Sequence, residues 1–163
     1  MNEVFVSLGT NLGDRLENLN IAYLEIGNRI GTIIRKSSFY KTPPWGFNSD
    51  QDFVNSVILV GTDFDLEELL IELKKVETDM GRRQRDSNQG YQDRVIDLDI
   101  IDFNGVIHSS KNITVPHERM HLRNFVLFPL AEIAPNWFHP VLKKSIKSLK
   151  YPMLQDDSIV KLI

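Results

Sequence analysis

Apolar and polar positions alternate loosely over residues 3–8, Glu-Val-Phe-Val-Ser-Leu, and predict a strand. The turn Gly9 to Gly13 leads into a helix opening near Asp14. Asp14 stands in N-cap position with Glu17 three residues on, and Leu16, Leu19, Tyr23, Ile26 and Ile30 then recur at helical period. Residues 32–41 predict a second strand. The stretch from Thr42 to Asp52 has no period and is rich in turn formers, and Phe53 to Val60 predicts a third strand. Asp65 and Glu68 repeat the capping spacing before a helix whose apolar face is Leu66, Leu69, Leu70, Leu73, Val76 and Met80; Gly81 ends it. A polar loop over residues 81–93 precedes a fourth strand, Arg94 to Phe103.

The order is βαββαβ, which predicts an α+β, ferredoxin-like fold with an antiparallel sheet and two long loops. Thr114 to Pro116 reads as a short extended piece and Asn124 to Ile133 as a helix, while the tail from Val141 has no clear period. These make C-terminal helical and extended additions to the core. With no internal repeat, low-complexity block or linker, the expectation is a single domain over residues 1–163.

Composition narrows the classes without choosing among them. The 163 residues are 42% hydrophobic and 25% charged, as in ordinary globular proteins. A net charge of −3 gives no general attraction to nucleic acid or anionic membranes. The absence of cysteine excludes disulfides and thiolate chemistry. The stretch Met-Asn-Glu-Val-Phe-Val-Ser-Leu-Gly is too short and acidic for a signal peptide, and no apolar run approaches membrane-spanning length. The expectation is a cytoplasmic monomer acting on small molecules, with neither nucleic acid nor membrane as partner.

Within Arg94-Val-Ile-Asp-Leu-Asp-Ile100, strand alternation puts Asp97 and Asp99 on one face and Ile96, Leu98 and Ile100 on the other. Side-by-side carboxylates repel unless a cation intervenes, and Mg²⁺ is commonly held by one or two carboxylates plus substrate phosphates. A solvated strand face is the competing reading. Asp102 has the opposite parity and is expected to be an ordinary surface charge. The loop before the strand holds Arg82, Arg83, Arg85 and Arg94, and guanidinium forks suit polyphosphate oxygens. Gly9-x-x-x-Gly13 lacks a following Gly-Lys-Ser/Thr, so no P-loop is present. In the first loop, Thr42-Pro43-Pro44-Trp45-Gly46-Phe47 joins rigid turns to aromatics. Phe53 and Asn55 share a strand face, suited to stacking on a flat heterocycle and reading its edge, or to simple core packing. His117-Glu-Arg-Met-His121 matches H-E-x-x-H, a zinc hydrolase signature that needs a helix and a third ligand. No metzincin continuation follows, and Glu132 is the nearest downstream carboxylate. His108 and His139 are expected to be surface or turn residues.

Several motifs in order resemble the 6-hydroxymethyl-7,8-dihydropterin pyrophosphokinase family. They are Ser7-Leu-Gly-Thr-Asn-Leu-Gly-Asp-Arg15, Ser37-Ser-Phe-Tyr-Lys-Thr-Pro-Pro44, Asp52-Phe-Val-Asn55, Gly81-Arg82, Arg94 to Ile100, and Val115 to Leu130. The resemblance implies transfer of pyrophosphate from ATP to the pterin hydroxymethyl group, with release of AMP. It implies that Asp97 and Asp99 bind two Mg²⁺ ions and that Arg82 and Arg94 contact the phosphates. Phe53 and Phe125 would sandwich the pterin, with Asn55 reading its edge and Thr42, Pro44 and Trp45 completing the site. Arg85, Ile100, Thr114, His117 and Arg123 would contact the nucleotide. The chain departs from the best-known members in several places. Its arginine loop is two residues longer, Tyr91 stands near a usual tryptophan, Lys74 replaces a usual glutamine, and Asn112 stands where some members have arginine. Trp45 replaces a smaller apolar residue, and Arg83 competes with Arg85 for the second loop-arginine role.

Overall fold

The N-terminal alternation builds a nine-residue strand, β1 (Asn2–Thr10), in the computed structural model, which describes residues 1–44, 49–81 and 93–162. Helix α1 (Arg15–Arg29) starts where the sequence predicts, with the Asp14 carboxylate accepting the Glu17 amide at 3.1 Å. Helix α2 (Leu66–Asp79) carries a full capping box: Asp65 accepts the Glu68 amide and Glu68 accepts the Asp65 amide, each at 2.9 Å.

The predicted second strand is divided into β2 (Gly31–Lys36) and β3 (Tyr40–Thr42), both antiparallel to β4 (Phe53–Thr62). The division falls at Ser37, whose hydroxyl oxygen accepts the Val57 amide at 3.0 Å in place of a backbone carbonyl. With β5 (Asp97–Phe103), the main sheet of the described residues runs β3-β4-β1-β5. Strand β10 (Val160–Lys161) adds outside β3, and all these neighbours are antiparallel.

Both faces of the sheet are covered. On one, Leu19, Tyr23 and Ile26 of α1 and Leu69, Leu73 and Val76 of α2 pack with Val4, Val6, Leu8, Ile96, Leu98 and Ile100. Each large side chain buried there contributes roughly 1.5–3 kcal/mol. On the other face, α3 (Asn124–Ile133), with the bounds read from sequence, and the short α4 (Ile146–Lys150) cover Val57, Leu59 and Ile101 with Leu127, Leu130 and Ile146. Two short hairpins complete the described elements, β6 (His108–Ser109) with β7 (Thr114–Val115), and β8 (Phe138–His139) with β9 (Lys144–Ser145).

Two expectations are corrected. Asp102 is buried, at 3% exposure, not a surface charge. A β-bulge explains it: Phe5 pairs with Asp102 while Val6 pairs with Ile100, so β5 has one extra residue and its alternation reverses there. Burial pushes the Asp102 carboxyl up, against hydrogen bonds from the Gly105 amide and the Trp137 side chain. That amide belongs to a turn in which Asn104 and Gly105 both have positive φ. His139 is neither a surface nor a turn residue: it ends strand β8 and is buried, with Nδ1 accepting the Val141 and Leu142 amides at 3.2 and 3.0 Å. Among the described residues, no helix is long and apolar enough to cross a membrane.

Candidate active site

Antiparallel pairing brings the end of β1 and the starts of β4 and β5 to one edge of the sheet. Thr42 pairs with Phe53, Asn55 with Gly9, Gly9 with Asp97, and Ser7 with Asp99. Five candidate site residues therefore lie in neighbouring rungs around Gly9. A Cβ at position 9 would meet Asn55 Oδ1 at 3.1 Å and the Phe53 ring at 3.6 Å, so glycine lets both side chains lie across the strand. Asn55 is buried, and its Nδ2 donates to Thr42 Oγ1 at 2.8 Å and to the Tyr40 carbonyl at 3.3 Å. The amide orientation is thus set by β3, leaving Oδ1 as the acceptor.

Asp97 and Asp99 are half-buried on the face that α3 covers further along the strand. Their position is where that cover ends. Arg123, almost fully buried at the start of α3, brings Nη1 to 4.0 Å from Asp99 Oδ2 and sets its guanidinium 5.6 Å from the Phe125 ring. A cleft of about 410 Å³ opens beside the aspartates, lined by Asp99, Ile100, Thr114 and His117 together with residues 110–113. Burial, then the Arg123 and Arg119 charges, lower the His117 pKa to about 4, with Asp97 working the other way. The ring is neutral at pH 7, and Nδ1 accepts the Arg119 amide at 3.1 Å. That bond assigns the proton to Nε2, which makes it a donor.

Arg94 is buried beside β1, and Asn11 grips its backbone. Asn11 Oδ1 accepts the Arg94 amide at 2.6 Å, the Asn11 amide donates to the Arg94 carbonyl at 2.9 Å, and Asn11 Nδ2 donates to Asp93 at 2.7 Å. No periodicity or spacing marks Asn11 for this role, although an asparagine in a glycine-bounded turn is the type of residue that ties down backbone. Trp45, Arg82, Arg83, Arg85 and Tyr91 lie outside the described residues. Pro44 is half-buried, and Phe125 is half-buried in the first turn of α3.

The zinc alternative loses its frame. His117 lies in a turn and His121 in a single 3₁₀ turn, Met120–Leu122, so the pair does not share an α-helix face. Glu132, the nearest downstream carboxylate, instead accepts hydrogen bonds from Ser38 and Tyr40. Among the described residues, no group of three or more His, Asp or Glu side chains is placed to hold a metal ion.

Residues 5–135 match the family described as 7,8-dihydro-6-hydroxymethylpterin-pyrophosphokinase. The chain is 37% identical over 143 residues to the 2-amino-4-hydroxy-6-hydroxymethyldihydropteridine pyrophosphokinase of Porphyromonas gingivalis, covering 84% of this chain and 93% of that one. It is 34% identical over 150 residues to the enzyme of the same name from Aquifex aeolicus, covering 92% and 91%. The fold resembles that of Plasmodium falciparum HPPK-DHPS solved with pteroate, with a TM-score of 0.77 at 16% identity. That likeness covers 98% of this chain but only 47% of the Plasmodium chain, so this chain spans about half its length. Match and identity together extend over the strands that form the edge around Gly9, and the chain belongs to the 7,8-dihydro-6-hydroxymethylpterin-pyrophosphokinase family.

Proposed function

We infer that this chain transfers pyrophosphate from ATP to the hydroxymethyl group of 6-hydroxymethyl-7,8-dihydropterin, releasing AMP, in folate biosynthesis. The observation that carries this reading is the arrangement about Gly9. Asp97 and the cleft lined by Asp99 and His117 lie to one side, and Asn55, Phe53 and Thr42 to the other. A phosphate-bearing cosubstrate and a flat acceptor would meet between them.

The donor set fits Mg²⁺: two half-buried carboxylates on one strand face supply hard oxygen ligands, and polyphosphate oxygens would complete the shell. Asp97 and Asp99 would hold two Mg²⁺ ions, which neutralise phosphate charge and align attacking and leaving oxygens. The side chains do the rest by positioning. Phe53 and Phe125 would stack on the pterin, Asn55 Oδ1 would accept from its edge, and Thr42, Pro44 and Trp45 would close the pocket. His117, neutral with its proton on Nε2, would donate to the nucleotide, and Arg123, Arg85, Ile100 and Thr114 would complete that site. Arg82 and Arg94 would take up charge as the pterin oxygen bonds to the β-phosphorus and the bond to the AMP oxygen breaks. No covalent protein nucleophile is needed.

The strand order β2-β4-β1-β5, antiparallel throughout with α1 and α2 on one face, supports the ferredoxin-like assignment. The chain is read as one domain, monomeric and cytoplasmic. Incubation with ATP, Mg²⁺ and the hydroxymethyl pterin tests the function. AMP and pterin pyrophosphate in equal amounts are expected. Absence of both products, with nucleotide binding unchanged in an Asp97→Ala variant, would instead favour a silent binding module.

A further inference from the structure

Strand β3 is only three residues long, yet it carries Thr42 and orients Asn55. Its outer neighbour, β10, contributes two residues. So short a strand has few ladder bonds of its own to hold it, so its fixation must come from elsewhere.

Glu132 supplies it from the last turn of α3. Oε1 accepts the Ser38 amide at 3.0 Å and the Ser38 hydroxyl at 2.8 Å, while Oε2 accepts the Tyr40 hydroxyl at 2.6 Å. The Tyr40 carbonyl in turn accepts Asn55 Nδ2, and Tyr40 and Asn55 are direct partners in the ladder. At its other end, α3 carries Phe125 in the first turn, about 10 Å away at the helical rise. A second bond, from Arg35 Nη1 to the Ile133 carbonyl at 2.9 Å, fastens the same end of the helix to β2.

We propose that Glu132 is a positioning residue of the pterin pocket. By tying α3 to Ser38 and Tyr40, it sets the distance between the Phe125 wall and the Thr42–Asn55 wall. This rests on the assignment of those residues to the pterin site. The carboxylate touches neither substrate; it acts through Tyr40 and through the helix. The nucleotide cleft is lined by β5 and the β6–β7 hairpin, with Arg123 alone reaching it from the far end of α3, so it depends on this tie much less than the pterin pocket does. Nothing in Glu132's exposed place on α3 reveals such a role, because its partners are more than 90 residues away in the chain.

The test is a pair of fluorescence titrations on Glu132→Ala, Glu132→Gln and Tyr40→Phe: pterin Kd with Mg²⁺ and a non-hydrolysable ATP analogue, and the analogue's own Kd with Mg²⁺. Loss of the carboxylate should weaken pterin binding about tenfold, the equivalent of about one charge-assisted hydrogen bond, and change the analogue Kd less than about twofold. Glu132→Gln keeps one acceptor oxygen and should lie between wild type and alanine. Adding Glu132→Ala to Tyr40→Phe should cost less than the two single losses combined. Equal weakening of both ligands, or an unchanged pterin Kd, overturns the role. Should Glu132→Ala fail to fold, the glutamine and phenylalanine variants decide by the same ratio. A wild type that binds pterin but forms no AMP contradicts the reaction, while the ratio of pterin Kd values still decides the role of Glu132.

Discussion

Asn11→Ala removes the side chain that grips Arg94, and its effect can be worked out from three contacts. Asn11 is fully buried, and its Oδ1 is the acceptor for the buried Arg94 amide. Leaving that N–H without its acceptor costs about 1–3 kcal/mol. The bond from Nδ2 reaches Asp93, which is exposed, so its loss adds only about 0.5–1 kcal/mol. The backbone bond from the Asn11 amide to the Arg94 carbonyl survives the substitution. The expected loss is about 1.5–4 kcal/mol, or a Tm drop of roughly 3–16 °C for a chain of this size. Urea unfolding followed by tryptophan fluorescence and far-UV circular dichroism measures it. A displacement of Arg94 by about 1 Å should also lower kcat/KM by about 100-fold. Asn11→Asp separates the two bonds. It keeps the acceptor for Arg94 but sets a second carboxylate against Asp93, so its smaller loss should shrink with added salt while the alanine loss does not. An alanine variant within about 0.5 kcal/mol of wild type, with full activity, would refute the grip on Arg94.

Asp97→Asn and Asp99→Asn should each cut turnover at least about 100-fold and raise the Mg²⁺ concentration needed for half activity, and EDTA should abolish wild-type activity reversibly. Asp102→Asn, beyond the bulge, should lower stability without shifting the Mg²⁺ dependence; a shifted dependence would contradict its placement. Arg82→Ala and Arg94→Ala should slow turnover more than they weaken pterin binding, as rapid-quench kinetics and pterin titration will separate. His139 gives a pH dependence. Burial, then the nearby His121 ring, holds its pKa below the ordinary value of about 6.5, and Nδ1 accepts two backbone amides that protonation would lose. The unfolded chain takes up this proton first, so its contribution is complete above about pH 6.5 and is lost as pH falls below it. The fall in urea midpoint from pH 7.5 to 5.5 should be smaller in His139→Asn; an identical fall excludes His139 as its source.

Period alone reveals the elements whose burial is one-sided and regular. The stripes of α1 and α2, their N-caps and the bounds of α3 all follow local rules of spacing and capping. Alternation also places Asp97 and Asp99 correctly, because it holds until the bulge at Ile101 and Asp102. No residue type there announces an inserted position, so the same rule misplaces Asp102. The division between β2 and β3 is likewise invisible, since it depends on the Ser37 hydroxyl finding the Val57 amide across the sheet. Asn11 and Glu132 are unremarkable in their own segments. Their partners, Arg94 and Ser38, stand 83 and 94 residues away, where only the assembled sheet and helix layers bring them together. The candidate site was legible as residue types in order, and its supports were not.

The most direct measurement is product stoichiometry with ATP, Mg²⁺ and 6-hydroxymethyl-7,8-dihydropterin, followed by ³¹P NMR. One AMP per pterin pyrophosphate is expected from wild type, with none from Asp97→Asn on the same timescale. ADP in place of AMP, or AMP formed without a pterin diphosphate ester, contradicts the assignment.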